Sequence, residues 1–231
     1  MESNENQNKF SIQYYKSIIL KALSKNYVVP TLNEYYKNKA QYTDKKVMLL
    51  RHDLDDKPQR LKFMLECEKE CGVRSTTYLL VHTNYYNLFS PAVFSILKDI
   101  EEDGFEIGLH TNFVETSKIF GLDANYVLDS EIEILRKYFN VYGVACHRNI
   151  DYMYNSLPYL QENFKEIALR NNLLYEAYDQ NIFGGFEFVN EGFNPHLGWR
   201  NETPEEVIEA GKSLYISTHP HWWYVNHAFE N

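Results

Sequence analysis

From residue 47 onward the chain alternates between two rhythms. Short apolar runs end in charge or histidine, and each is followed by a longer stretch in which apolar residues recur every three or four positions. Residues 47–51 form the first run, which breaks into Arg51-His52-Asp53-Leu54-Asp55-Asp56. Pro58 then opens a helix where its missing N–H does no harm; Leu61, Met64, Leu65 and Cys67 supply its stripe and Gly72 stops it. Residues 75–81 are the second strand. Ser90 and Pro91 cap and open the next helix, with Val93, Ile96, Leu97 and Ile100 inward and Gly104 at its end. Residues 105–109 make a third strand that closes on His110. Asp123 caps a helix that runs to about Phe139, with Val127, Ile134 and Tyr138 on one stripe and Leu128, Leu135 and Phe139 beside it. Residues 141–146 make a fourth strand that closes on His147-Arg148. A helix is expected over 156–170, and strands over 173–178 and 186–189 on either side of Gly184-Gly185. Thr203, Pro204 and Glu206 form a capping-box helix start, and the last strand, 214–218, closes on His219-Pro220-His221.

Strands alternating with helices predict an α/β fold with a parallel sheet, as a barrel or an open doubly wound sheet. Ahead of it, residues 9–38 read as helical, with Phe10, Tyr14, Ile18 and Ala22 on one stripe and Thr31 with Glu34 as a second capping box. We therefore expect a helical appendage over 1–46 and the main domain over 47–231.

Composition narrows the function classes. A length of 231 residues with 44 % hydrophobic content supports one large α/β domain. The net charge of −9 argues against a nucleic-acid backbone as partner. No apolar run approaches a membrane span, and the first eight residues are polar, without the apolar core of a signal peptide. Cys67, Cys71 and Cys146 form no disulfide pattern. These features together point to the cytoplasm. The chain contains no Gly-x-Gly-x-x-Gly and no Gly-Lys-Ser/Thr loop, which disfavours dinucleotide and nucleoside-triphosphate enzymes. Most of the 19 Tyr and 14 Phe belong to a core, and a sugar cleft would use the remainder.

Position is the informative feature of the polar residues. His52, His82, His110, His147 and His219 each fall at or just after the end of an expected strand, as do Asp53 and Asp55. In a parallel α/β fold all strand carboxyl ends share one face, where loops build the cleft. A single histidine at a strand end is more often a hydrogen-bonded structural group. Five on one rim beside two aspartates suit a divalent cation such as zinc. His196 and His227 fall in loops and carry no such weight, and His221 is read as a supporting partner or a surface residue.

Four segments match a known family in order and spacing: Arg51-His52-Asp53-Leu54-Asp55, Glu106-Ile107-Gly108-Leu109-His110-Thr111, Ala145-Cys146-His147-Arg148 and Ile216-Ser217-Thr218-His219-Pro220. Over 45–225 the chain resembles the polysaccharide deacetylase superfamily (carbohydrate esterase family 4), and within it the divergent members whose first motif is Arg-His-Asp-x-Asp. The resemblance implies an irregular (β/α) barrel of about seven parallel strands. It also implies a divalent metal, most simply zinc, and hydrolysis of an N-acyl group on a sugar or glycan precursor in surface polysaccharide biosynthesis. By the same resemblance Asp53 is the catalytic base, Asp55 and His110 are metal ligands, Arg148 orients the catalytic aspartate, and His219 is the general acid. Two departures stand out. Leu54 separates aspartates that the family usually has adjacent, and Val114 occupies the place of the family's second metal histidine. His147 is the candidate to replace it, ahead of Glu115. One of Trp222 and Trp223 suits stacking on a sugar, with the other in the core.

Three rival readings stay open. The same scaffold could cleave an ester or another acyl group, a formyl group included. Val114 favours a catalytically silent glycan-binding or pathway-scaffolding protein. A metal-free barrel using Asp and His as acid and base, such as a sugar isomerase, is the third.

Overall fold

A computed structural model describes residues 10–147, 154–191 and 198–226. Seven strands form one sheet: β1 (Met48–Leu54), β2 (Thr76–Leu80), β3 (Glu106–Thr111), β4 (Gly143–Cys146), β5 (Tyr175–Glu176), β6 (Glu187–Asn190) and β7 (Leu214–Thr218). Their spatial order is β5-β4-β3-β2-β1-β7-β6, and every neighbouring pair runs parallel. This is the expected α/β barrel, in an irregular, incompletely closed form. Its two edges, β5 and β6, follow one another in the chain. The Tyr178 ring just past β5 meets Phe188 of β6 with centroids 6.4 Å apart, so side chains span the gap that hydrogen bonds leave.

The connecting helices are α3 (Pro58–Cys71), α4 (Pro91–Leu97), α5 (Phe113–Phe120), α6 (Ala124–Arg136), α7 (Ser156–Asn171), α8 (Gln180–Phe183) and α9 (Pro204–Glu209). All but α8, whose Ile182 joins the inner core, cover the outer face of the sheet, where Leu50, Leu54, Leu79, Ile107, Leu109 and Ile216 are buried. The inner face has its own core, in which Leu49, Tyr78, Ala145, Tyr175 and Tyr215 interlock. Such double burial is the rule for parallel sheets and explains the near-continuous apolar runs.

Two helices precede the sheet, α1 (Ile12–Ser24) and α2 (Leu32–Lys37). α1 buries Tyr15, Ile18, Ile19 and Ala22 in a cluster with Met64 and Cys67 of α3 and Val207 and Ile208 of α9. α2 closes the end of the barrel where the strands begin: Leu32 N–H donates to Thr76 Oγ1 at 2.9 Å and Asn33 N–H to Glu106 Oε2 at 2.8 Å. Thr203 makes both halves of the expected capping box, while Thr31 supplies only the bond from its side chain to Glu34 N–H.

Several elements differ from expectation. β1 runs on through the charge burst to Leu54, because Arg51 and Asp53 neutralise one another inside the barrel. α5 was not anticipated: its apolar positions are interrupted by Glu115-Thr116-Ser117-Lys118. α6 ends at Arg136, and its buried face is Val127, Leu128, Glu131, Ile132 and Leu135. Glu131 interrupts the stripe, which rotated the expected face toward Tyr138. That ring is exposed and lies against Phe89 and Phe94.

Gly108 and Gly143 make room for large inner rings. A Cβ on Gly108 would fall on the Tyr78 ring, and one on Gly143 on the Tyr175 ring. Gly143→Ala is therefore expected to destabilise by about 1–3 kcal/mol, the usual size of core overpacking. A lowered denaturant midpoint would record it. Gly185→Ala, which meets open space, should leave the midpoint unchanged.

Candidate metal and catalytic centre

Alternation along β1 aims the first group of side chains. Leu49 faces the barrel interior and Leu50 the helices, so Arg51 and Asp53 point inward while His52 points outward. Arg51 is fully buried and donates Nε–H to Asp53 Oδ1 at 2.7 Å and Nη2–H to Oδ2 at 2.8 Å. It also donates to Tyr178 Oη at 3.1 Å and Tyr215 Oη at 3.5 Å, and its plane lies over the Tyr78 and Tyr178 rings. This is a two-pronged, charge-assisted pair of the strong kind. Burial pushes the Asp53 carboxyl up, but the Arg51 guanidinium together with His110 and His219 holds it below the usual range.

Asp55, just past β1, sits among three imidazoles. Its Oδ1 is 3.3 Å from His110 Nε2, and its Oδ2 is 3.5 Å from His147 Nε2 and 3.6 Å from His219 Nε2. One ligand atom each from Asp55, His110 and His147 lie within 4.8 Å of one another. His110 comes from β3, paired beside β4, and its Nδ1 is 2.9 Å from Ala145 O. A carbonyl only accepts, so Nδ1 carries a proton, and in the neutral form of the ring Nε2 turns a lone pair outward. That Nε2 and Asp55 Oδ1 are both buried, and neither has a hydrogen-bond partner. Two acceptors facing one another at 3.3 Å are satisfied by a cation between them. One carboxylate and two imidazoles are a fitting donor set for zinc or a related ion.

His219 completes the group. Its Nδ1 is 3.1 Å from Glu191 Oε2, while its backbone N–H and Trp223 Nε1–H both donate to Glu191 Oε1, at 2.7 and 2.8 Å. Burial disfavours the charged ring, but the Glu191 carboxylate lifts His219 to about 9.

Of the rim residues expected from the sequence, Asp53, Asp55, His110, His147 and His219 converge. His52 does not: it faces the helices, with Nδ1 2.6 Å from Thr218 Oγ1 and Nε2 2.6 Å from Glu68 Oε1. His82 turns away onto Glu131, 2.6 Å from Oε1. Arg148, His196 and His227 lie outside the described residues. Val114 packs on the hydrophobic core, and its N–H donates to Ser156 Oγ at 3.1 Å. Glu115 lies in the first turn of α5, outside the ligand cluster. Trp223 is fully buried and Trp222 partly so. Sequence reasoning passed over Arg51 as a partner for Asp53, and it missed Glu191. The signal for Glu191 was present, since it directly follows a strand end, the criterion that singled out the histidines.

The sequence matches no family model and no curated protein. Among solved structures, the fold is similar to that of the deacetylase PplD of Streptococcus pyogenes, solved with acetate. The TM-score is 0.52 at 14 % identity, over 90 % of this chain and 80 % of that one. A dihydropteroate synthase of Xanthomonas albilineans, solved with 4-aminobenzoic acid, overlays with a TM-score of 0.34 at 8 % identity. Among the described residues no helix is long and apolar enough to cross a membrane.

Two outcomes follow from the geometry. Arg51→Met should cost about 3–5 kcal/mol by leaving Asp53 buried without its cation. The double variant with Asp53→Asn should recover much of that loss, and a denaturation double-mutant cycle measures the coupling. The hydrogen bond to Glu131 raises the pKa of His82 above its ordinary value. The stabilising pair is thus fully formed below the ordinary histidine pKa and is lost as pH rises through the raised one. Proton NMR titration should show a raised His82 midpoint that returns toward the ordinary value in Glu131→Gln.

Proposed function

We propose that the protein is a metal-dependent hydrolase that removes an N-acyl group, acetyl first, from a sugar or glycan precursor, and that it acts in the cytoplasm. The observation that carries this reading is the buried, partnerless pair of acceptors, His110 Nε2 facing Asp55 Oδ1. The fold similarity to a deacetylase solved with acetate supports it, as does the motif order along the chain.

In this reading Asp55, His110 and His147 hold the cation, which when bound supplies Lewis acidity and lowers the pKa of water. The chain's own groups do the rest. Asp53 takes the proton of the attacking water, and Arg51 keeps its carboxylate oriented. Arg148 keeps the orienting role that the family resemblance gives it. His219 donates a proton to the departing amine from Nε2, because Nδ1 is committed to Glu191. Glu191 sets the ring's orientation and favours its charged form. A catalytically silent glycan-binding protein is the second reading, favoured by Val114 at the place of the family's second histidine.

Purified protein is expected to carry about one zinc or related ion per chain by elemental mass spectrometry, lost in His110→Ala. Acetate release from N-acetylated sugars should fall about 10²–10⁴-fold in Asp53→Ala and in His219→Ala. No metal after incubation with excess zinc, together with retained sugar binding and no acid release, would select the silent reading.

A further inference from the structure

Asn112 stands at the N-cap of α5, where an asparagine side chain ordinarily accepts a hydrogen bond from the first turn. Here it makes no such bond. Other groups serve that turn: Phe113 N–H donates to Thr111 Oγ1 at 3.0 Å, and Val114 N–H to Ser156 Oγ at 3.1 Å. The Asn112 amide turns to His147 instead, with Nδ2 3.0 Å from Nδ1. The backbone holds the two residues side by side, since His147 N–H donates to Thr111 O at 2.9 Å.

This contact poses a donor problem for a metal centre. With the amide N–H donating to Nδ1, a neutral His147 carries its proton on Nε2, the nitrogen 3.5 Å from Asp55 Oδ2. A protonated nitrogen cannot be a ligand. Asn112 Oδ1, meanwhile, is buried without a partner. Half a turn of the amide exchanges its oxygen and nitrogen. Oδ1 then accepts from His147 Nδ1–H, and Nε2 turns its lone pair toward Asp55 and His110. One proton is taken up at Nδ1 and one leaves Nε2 for solvent, so the ring is neutral before and after the exchange.

We infer that Asn112 is a positioning residue for the metal centre, and that its amide selects the His147 tautomer that can ligate. The inference rests on the metal-dependent reading above. It accounts for how a ligand at the end of β4 can serve when Val114, on α5, packs in the core.

The test uses the full chain labelled with nitrogen-15, and zinc as the probe. In the zinc-bound wild type, His147 should show a proton on Nδ1 and a ligated Nε2. Competition with a chromogenic chelator should show Asn112→Ala binding zinc about 10–100-fold more weakly, as for other supporting residues of metal sites. Asn112→Asp, which only accepts, should keep at least wild-type affinity and hold the Nδ1–H tautomer even without zinc. Thermal unfolding of the zinc-free proteins checks that each variant folds. If Asn112→Ala fails to fold, the tautomer readout on the wild type and Asn112→Asp decides the matter. The inference alone falls if the wild type binds zinc and Asn112→Ala binds it equally well, or if zinc-bound His147 has no proton on Nδ1. If the wild type takes up no zinc, the metal-dependent reading falls and this inference with it.

Discussion

Arg51 lies at full burial inside the barrel, and a charge there is tolerated only with a partner and with its donors satisfied. Asp53 supplies the partner through two parallel hydrogen bonds, and the hydroxyls of Tyr178 and Tyr215 take further donors. The consequences spread outward. Tyr178 follows β5 and Tyr215 lies on β7, so one guanidinium ties β1 to both sides of the incompletely closed barrel. The same bonds set the direction of the Asp53 carboxylate, and Asp55 follows two residues on.

Above this ion pair the chemistry is crowded with acceptors. Asp55 has three imidazoles within 3.6 Å, and one of them, His110, has its proton committed to Ala145 O. Natural proteins leave few buried polar atoms without partners, and those that persist call for an explanation. Here two such atoms, His110 Nε2 and Asp55 Oδ1, face one another. A site that is uncomfortable without a cation and fitted to one with it stores part of its binding free energy in the fold. Glu191 does for His219 what Arg51 does for Asp53: it is an oppositely charged neighbour that sets orientation and protonation state together.

Much of the architecture was legible in the chain. Capping residues at Ser90, Asp123 and Thr203 and stop glycines at Gly72 marked helix ends, because caps and left-handed termini act over a few residues. Histidines at strand ends pointed to one rim, since a parallel sheet gathers its carboxyl ends on one face. The readings that failed are those in which a polar residue was buried by something distant. Glu131 rotated the apparent face of α6 because Thr111 and His82 supply its partners from across the fold. His52 shares the strand-end position of the other histidines, but β1 continues to Leu54 and turns alternate side chains to opposite faces, which sends His52 toward the helices.

The sequence by itself determined the alternation of elements, the parallel sheet and the cluster of ligand-type residues at strand ends, because each depends on local periodicity and capping. Tertiary structure alone decided which of those residues meet. Strand order brings β3 and β4 together to seat His110 and His147 near Asp55, and β7 beside β1 brings His219 to the same carboxylate. Those meetings depend on hydrogen bonds between segments tens of residues apart and on the inward or outward parity of each strand. No local pattern encodes either.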